Sequence, residues 1–177
     1  MSALSLPNSI NLLKTGTMST YMQIGNIKGN VSTKSYASWI HIDSFEQSVA
    51  RQFSTQPGQA QERENAYPSF SAMTIRKKLD SASPQLFQLA CEGREGQMVR
   101  IDLCRVSTSQ IFPILSYTLN DVLIGLFKIT HENDANPTEE LTLHYNKIEM
   151  KYTPTDANNK RQNNIVASFD LKKASLA

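Results

Sequence analysis

The sequence is short of the residues that would tie it to a metal, a disulfide scaffold or a nucleic acid. Its two cysteines, Cys91 and Cys104, are too few for a disulfide framework and are not spaced as a close metal-ligand pair. They fit a chain made in a reducing cytoplasm. A formal charge of +2 is too small for binding by counterion release, which needs several lysines and arginines clustered on one face. The short basic groups Arg76-Lys77-Lys78, Lys160-Arg161 and Lys172-Lys173 therefore read as solvated strand ends or loops. No apolar stretch is long enough for a membrane-spanning helix. Between Met1 and Thr17 there is neither the basic leader nor the apolar run of a secretory signal, because Pro7, Asn8, Ser9 and Asn11 interrupt the leucines. Residues 1–20 read as a flexible extension, with Met18 an alternative start, and any export is expected by a route that reads no N-terminal signal.

Catalytic motifs are missing as well. The three histidines, His41, His131 and His144, stand in no paired metal-binding spacing and read as surface or interface residues. Gly25-Asn26-Ile27-Lys28-Gly29 has two glycines but not the strand–glycine–helix setting of a phosphate cradle. No Gly-x-Ser-x-Gly, P-loop or dinucleotide fingerprint occurs. Glu139 and Glu140 open a strand after Pro137-Thr138 and read as a solvated edge rather than an acid–base pair. Catalytic, cofactor and metal residues are all expected to be none.

What the sequence does have is period-2 alternation, the mark of half-buried strands. Tyr21 to Ile27 reads as a first strand closed by glycine turns. Ile40 and Ile42 share a face opposite Trp39, His41 and Asp43. Met73, Ile75 and Leu79 alternate with Thr74, Arg76 and Lys78. Val99, Ile101 and Leu103 alternate with Arg100, Asp102 and Cys104, and Leu115, Tyr117 and Leu119 follow suit. Val122 to Phe127 is apolar throughout and predicts a strand covered on both faces. Leu141, Leu143 and Tyr145 are followed by Ile148, Met150 and Tyr152 one residue out of phase, which predicts a bulge or bend near Asn146-Lys147. Ile165, Ala167, Phe169 and Leu171 close the chain. One helix interrupts the series: Ser83 as N-cap, Pro84 at the first helical position, Leu86, Leu89 and Ala90 on one face, and Gly93 as the stop. About seven strands and one helix predict a mainly β fold, an antiparallel barrel or sandwich with a short flanking α-helix. Between Ser54 and Pro68 lies a polar, Gln-rich loop, longer than compact domains usually tolerate without a use for it.

Five segments in order carry a family resemblance. Phe70 to Leu86, with Lys77-Lys78-Leu79-Asp80 leading into Ser83-Pro84-Gln85-Leu86, resembles the strand-to-helix joint of the Hcp proteins of bacterial type VI secretion. Tyr117 to Ile124, Pro137 to Ile148 followed by Tyr152-Thr153-Pro154, Ala167 to Lys173, and Ile24 to Gly29 are similar to other Hcp segments, with Phe169 where the family often has tryptophan. The likeness runs from about Tyr21 to Ala174 and implies an Hcp-like β-barrel domain over residues 21–174; Ser38 to Pro68 follows the family only loosely.

The resemblance implies a hexameric ring of identical subunits, with rings stacked into a tube that a contractile sheath drives out of the cell behind a spike protein. Small effector proteins can ride in the lumen, and no cofactor, nucleic acid or membrane insertion is implied. The expected contact with an adjacent subunit is the long loop with its flanking residues: Trp39, Phe53, Gln56, Gln59, Gln61, Glu62, Arg63 and Tyr67. Two other readings compete. A monomeric ligand- or glycan-binding barrel would use Trp39, the only tryptophan. A hydrolase with Ser, His and Asp from separate strands is not excluded by spacing alone.

Overall fold

The computed structural model describes residues 17–51, 67–94, 96–106, 110–156 and 161–176. Within them lie twelve strand segments and one α-helix. The long strands are β1 (Thr17–Ile24), β6 (Met73–Lys78), β7 (Gln97–Val106), β8 (Ile111–Thr130), β9 (Thr138–His144), β10 (Lys147–Tyr152) and β11 (Ile165–Asp170). The short ones are β2 (Ile40–Ile42), β3 (Ser44–Glu46), β4 (Val49–Ala50), β5 (Ser69–Phe70) and β12 (Ser175–Leu176), and helix α1 is Ser83–Glu92. The seven or so strands expected are the long ones; the short pieces carry too few residues to leave a periodic signal. β1 begins at Thr17 and pairs with β7 from the outset, Thr17 opposite Val106, so residues 17–20 are part of the sheet.

All pairings are antiparallel, and they close a barrel. The circuit runs β1–β7–β8–β9–β6–β3, and β3 returns to β1 through β2, which precedes it by one residue. That residue, Asp43, seals the seam by donating its amide to the Arg76 carbonyl at 2.8 Å. The inward face is mostly apolar: Met22, Ile24, Ile40, Ile75, Ile101, Leu119 and Leu141 are fully buried. Burying each such side chain is worth about 1.5–3 kcal/mol. Gly29 lies under this wall, where an added Cβ would come within 2.7 Å of Ile40 Cα, so no larger residue fits.

β8 is the spine. Leu115–Asn120 and Val122–Phe127 belong to one twenty-residue strand, not two. One edge of β8 meets β10 at Asn120↔Lys147 and β9 at Leu123↔His144, with two residues between the pairs on each side. The expected phase change near Asn146 is therefore a bend shared by both partners, with Asp121 at φ 54°, and no residue is inserted. Val122 to Phe127 is not covered on both faces as expected: Val122 and Ile124 are buried, but Leu126 is 40% exposed.

Beyond the barrel, β10, β11 and β12 continue as a flap, and the β4–β5 hairpin stands opposite, with Phe70 stacked on Phe169 at 4.9 Å. Helix α1 covers the other end, where Leu86 and Ala82 enter the core. Gly93 ends it in the left-handed conformation, as expected. Its start differs by one residue. Ala82 is the N-cap and Ser83 the first helical residue. The cap role falls to Asp80, whose carboxylate accepts the Ala82 amide at 3.0 Å while Ser83 Oγ accepts the Asp80 amide at 3.0 Å.

The same corner overturns two expectations about charge. Lys77, read as part of a solvated basic group, is completely buried, whereas Leu79 is 49% exposed. Glu139, read as a solvated edge, is buried too, and Lys77 Nζ donates to it at 2.6 Å. The cause is register: Lys77 lies opposite Glu139 on the inward face of β6 and β9, where the barrel core ends. Two inward charges pair there in place of two aliphatics. Glu140, one residue on, faces outward and pairs with Arg76 at 2.8 Å.

Candidate functional site

Three places in the molecule could do chemistry or recognition. The first is a polar cluster on the outer face of β1 and β7, roofed by the 3-10 turn Lys34–Tyr36. Tyr36 donates its hydroxyl to Asp102 Oδ2 at 3.1 Å, and Cys104 Sγ donates to the Tyr36 oxygen at 3.1 Å. Arg100 holds Asp102 with two hydrogen bonds, at 3.1 and 2.9 Å. Tyr21 stacks on Tyr36 at 4.6 Å, and Trp39 stands edge-on to it at 4.9 Å with the Arg100 guanidinium over the indole.

The electrostatics of this cluster run against catalysis. Burial pushes the Cys104 thiol up to about 11, with the Asp102 charge adding to it and the Tyr36 hydrogen bond opposing. A thiol held protonated is the reverse of an activated nucleophile. Burial, together with Cys104 and Asp102, also drives the Tyr36 hydroxyl well above the ordinary phenol range. His41 lies 3.8 Å from Asp43, both exposed, and meets Tyr21 by its ring edge. Among the described residues no group of three or more His, Cys, Asp or Glu could hold a metal ion, and no helix is long and apolar enough to cross a membrane.

These shifts set an alkaline limit on stability. The folded state keeps its proton on Cys104 above the unfolded value of 9.0, so the stabilisation is complete below pH 9.0 and lost as pH rises to about 11. Tyr36, Tyr117 and Tyr145, all raised from 10.0 with burial as the largest cause, extend the fall in the same direction. Urea unfolding free energies are expected to drop across this window. Cys104→Ala should flatten the portion just above pH 9.0, reduce the share due to Tyr36, and keep that due to Tyr117 and Tyr145; an identical profile in the variant would mean the thiol is not coupled to folding.

The second place is a groove of about 400 Å³ at the open mouth of the barrel, between the β4–β5 hairpin and the flap. Phe70, Tyr117, Ile148, Met150, Ala167 and Phe169 line it. It is the core face running out of cover: exposure on that face climbs from 6% at Ile148 to 41% at Met150, 47% at Tyr152 and 63% at Ile165. The third is a notch of about 330 Å³ at the far end, between α1 and the tip of the β8–β9 hairpin, where Leu79, Phe87 and Ile129 are each about half exposed.

Of the expected contact residues, Phe53, Gln56, Gln59, Gln61, Glu62 and Arg63 lie outside the described residues. Trp39 is half-buried in the Tyr36–Arg100 cluster, about whose inner layer periodicity says nothing. Tyr67 is 80% exposed beside the groove residue Pro68. The sequence does not bring out Met150, Ile165, Phe87 and Ile129, because an alternating apolar face looks the same whether its cover comes from its own chain or from elsewhere.

The comparison that decides the family is a match of residues 21–152 to the protein-family profile described as type VI secretion system effector, Hcp. The chain belongs to the Hcp family. Solved structures agree on the Hcp fold. One described as a type six secretion system protein superposes with a TM-score of 0.84 at 18% identity, covering 91% of this chain and 100% of its own. Hcp1 from Salmonella typhimurium gives 0.72 at 16% identity, over 90% and 99% of the two chains. The secreted protein Hcp3 from Pseudomonas aeruginosa gives 0.62 at 18%, over 87% and 98%. A search of curated protein sequences finds no match. At these identities the structural likeness speaks for the Hcp barrel and not for any particular contact, so the two open apolar surfaces must be read from this chain itself.

Proposed function

We propose that this chain is a structural tube subunit of a type VI secretion apparatus and not an enzyme. Its copies form hexameric rings that stack into the expelled inner tube, inside the sheath and behind the spike, and small effectors travel in the lumen. The subunit is made in the cytoplasm and is expelled from the cell with the tube. The observation that carries the reading is an Hcp barrel with large apolar side chains exposed at both ends among the described residues. Contiguous exposed apolar patches of this kind mark interaction surfaces, and identical subunits with two different patches associate head to tail, closing into a ring when the rotation fits. Trp39, the handle for a carbohydrate ligand, is already taken up by Tyr36 and Arg100, so nothing favours the ligand-binding reading.

Light scattering on the eluting protein is expected to give a mass about six times the 19.8 kDa of one chain. A single-chain mass at high concentration would remove the reading. Deleting Gln56 to Asn65, the centre of the proposed contact arm, should shift the mass toward one chain; rings of unchanged mass would place the contact elsewhere.

A further inference from the structure

The cluster on the outer face of β1 and β7 is unfit for nucleophilic work, but the same features suit it to one-electron chemistry. Its members form a series that runs inward. Trp39, the only tryptophan, is half-buried at the outer end. Its indole stands edge-on to the Tyr36 ring at 4.9 Å. The Tyr36 oxygen in turn receives the Cys104 thiol hydrogen at 3.1 Å, and Cys104 has no exposure. Indole, phenol and thiol all give up an electron or a hydrogen atom readily, and here they lie in contact in that order.

Charge points along the same series. The Arg100 guanidinium lies over the indole, 5.7 Å from the ring centre. It is attracted to the electron-rich ring as it stands, and by the same electrostatics it disfavours a positive charge left there when an electron is lost. Tyr36 has the opposite neighbour. Its hydroxyl donates to Asp102 Oδ2 at 3.1 Å, so a proton released on oxidation has a carboxylate within reach. Cys104 keeps its own hydrogen, because burial pushes the thiol up to about 11. The sulfur is therefore a hydrogen donor and not a thiolate.

We propose that Trp39, Tyr36 and Cys104 form a radical relay that carries one-electron oxidation from the indole to the buried sulfur. An oxidising radical takes one electron from Trp39 and is itself reduced, leaving the indole radical cation. Tyr36 returns an electron to that ring and passes its hydroxyl proton to Asp102. The indole is thereby restored, and a neutral phenoxyl radical stands at Tyr36. Cys104 then yields its hydrogen atom to the phenoxyl oxygen: the S–H bond breaks, the O–H bond re-forms, and the unpaired electron ends on sulfur. The sum is one electron to the oxidant, one proton on Asp102 and one thiyl radical at Cys104. The relay spares both rings, places the oxidation on a single buried atom, and does not depend on the tube-subunit reading.

Pulse radiolysis in azide solution tests it, because the azide radical oxidises indoles faster than phenols at neutral pH. In the intact protein the indolyl absorption is expected to decay into a phenoxyl band at a rate independent of protein concentration, and that band to fade in turn. Tyr36→Phe keeps a ring beside Trp39 and Tyr21 but removes the hydroxyl, so the indolyl radical should persist several-fold longer. Cys104→Ser can still donate a hydrogen bond to Tyr36, but its O–H bond is too strong to surrender the hydrogen, so the phenoxyl band should persist several-fold longer. Circular dichroism confirms that both variants fold. Peptide mapping of the wild-type protein after the same oxidation under air needs no variant at all. Dioxygen adds to the thiyl radical, so added oxygen is expected on Cys104 and not on Trp39. An indolyl decay unchanged in Tyr36→Phe, a phenoxyl lifetime unchanged in Cys104→Ser, or oxygen fixed on Trp39 with Cys104 unmodified would each overturn the relay.

Discussion

Lys77→Ala should lower the unfolding free energy by about 3–5 kcal/mol, the usual cost of leaving one partner of a buried ion pair alone. The side chain is wholly inside the barrel, and its ammonium group donates to Glu139 at 2.6 Å, to Asp80 at 2.8 Å and to the Lys78 carbonyl at 2.7 Å. Asp80 would keep a partner, the Ala82 amide, and is 11% exposed. Glu139 would not: its side chain has no exposure, and its second oxygen, Oε1, already has no hydrogen-bond partner. Truncation thus strands a charge and opens a cavity in the same step. Lys77→Met fills the space but leaves the charge, so most of the loss should remain. Lys77→Met with Glu139→Leu removes both charges and should regain the larger part, because a well-packed apolar pair matches or exceeds a buried ion pair in stability. Urea denaturation of the two single variants and the double, at one fixed protein concentration so that assembly does not enter, completes the cycle. A Lys77→Ala cost below about 1 kcal/mol, the range of exposed pairs, would mean that water reaches this end of the barrel.

That pair also shows how far the sequence could be read. Ile40 and Ile42, Val99 and Ile101, and Leu141 and Leu143 were placed on buried faces by alternation alone, and all are buried, because a two-residue period is a direct consequence of strand geometry. The family, too, was legible in five ordered segments, and the profile match over residues 21–152 bears it out. Lys77 was not legible. A lysine inside a basic triplet is indistinguishable from a solvated strand end until the register sets it opposite Glu139. Register is a long-range property: sixty-two residues separate the two charges. The same holds for Asp102, on the polar face of β7 by alternation and yet fully buried, because Tyr36 and Trp39 fold over that face from a turn with no periodicity to reveal it. The open surfaces failed to show for the opposite reason. Met150 and Ile165 alternate as core residues do, and alternation does not tell that they are 41% and 63% exposed.

Leu141→Ala is expected to cost about 2–5 kcal/mol, toward the upper part of that range. Leu141 has no exposure and stands in the middle strand of three, opposite Ile75 on one side and Phe127 on the other. Both neighbours are fixed by backbone ladders, so the wall cannot close over the missing methyl groups, and uncollapsed cavities make such truncations costly. Leu141→Met keeps the volume and should cost less than about 1.5 kcal/mol. Leu126→Ala, next to Phe127 on β8 but 40% exposed, loses little burial within the chain and should change monomer stability by less than about 1 kcal/mol. The contrast separates folding from association. Leu141→Ala should lower the unfolding midpoint and leave the assembled mass unchanged while the protein stays folded, since the residue reaches no surface. Leu126→Ala should do the reverse, sparing the midpoint of the dissociated chain and weakening the assembly if the proposed ring covers this exposed side chain. If both substitutions moved stability and mass together, folding and ring formation would be one coupled event, and the barrel would owe its stability to its neighbours as much as to its own core.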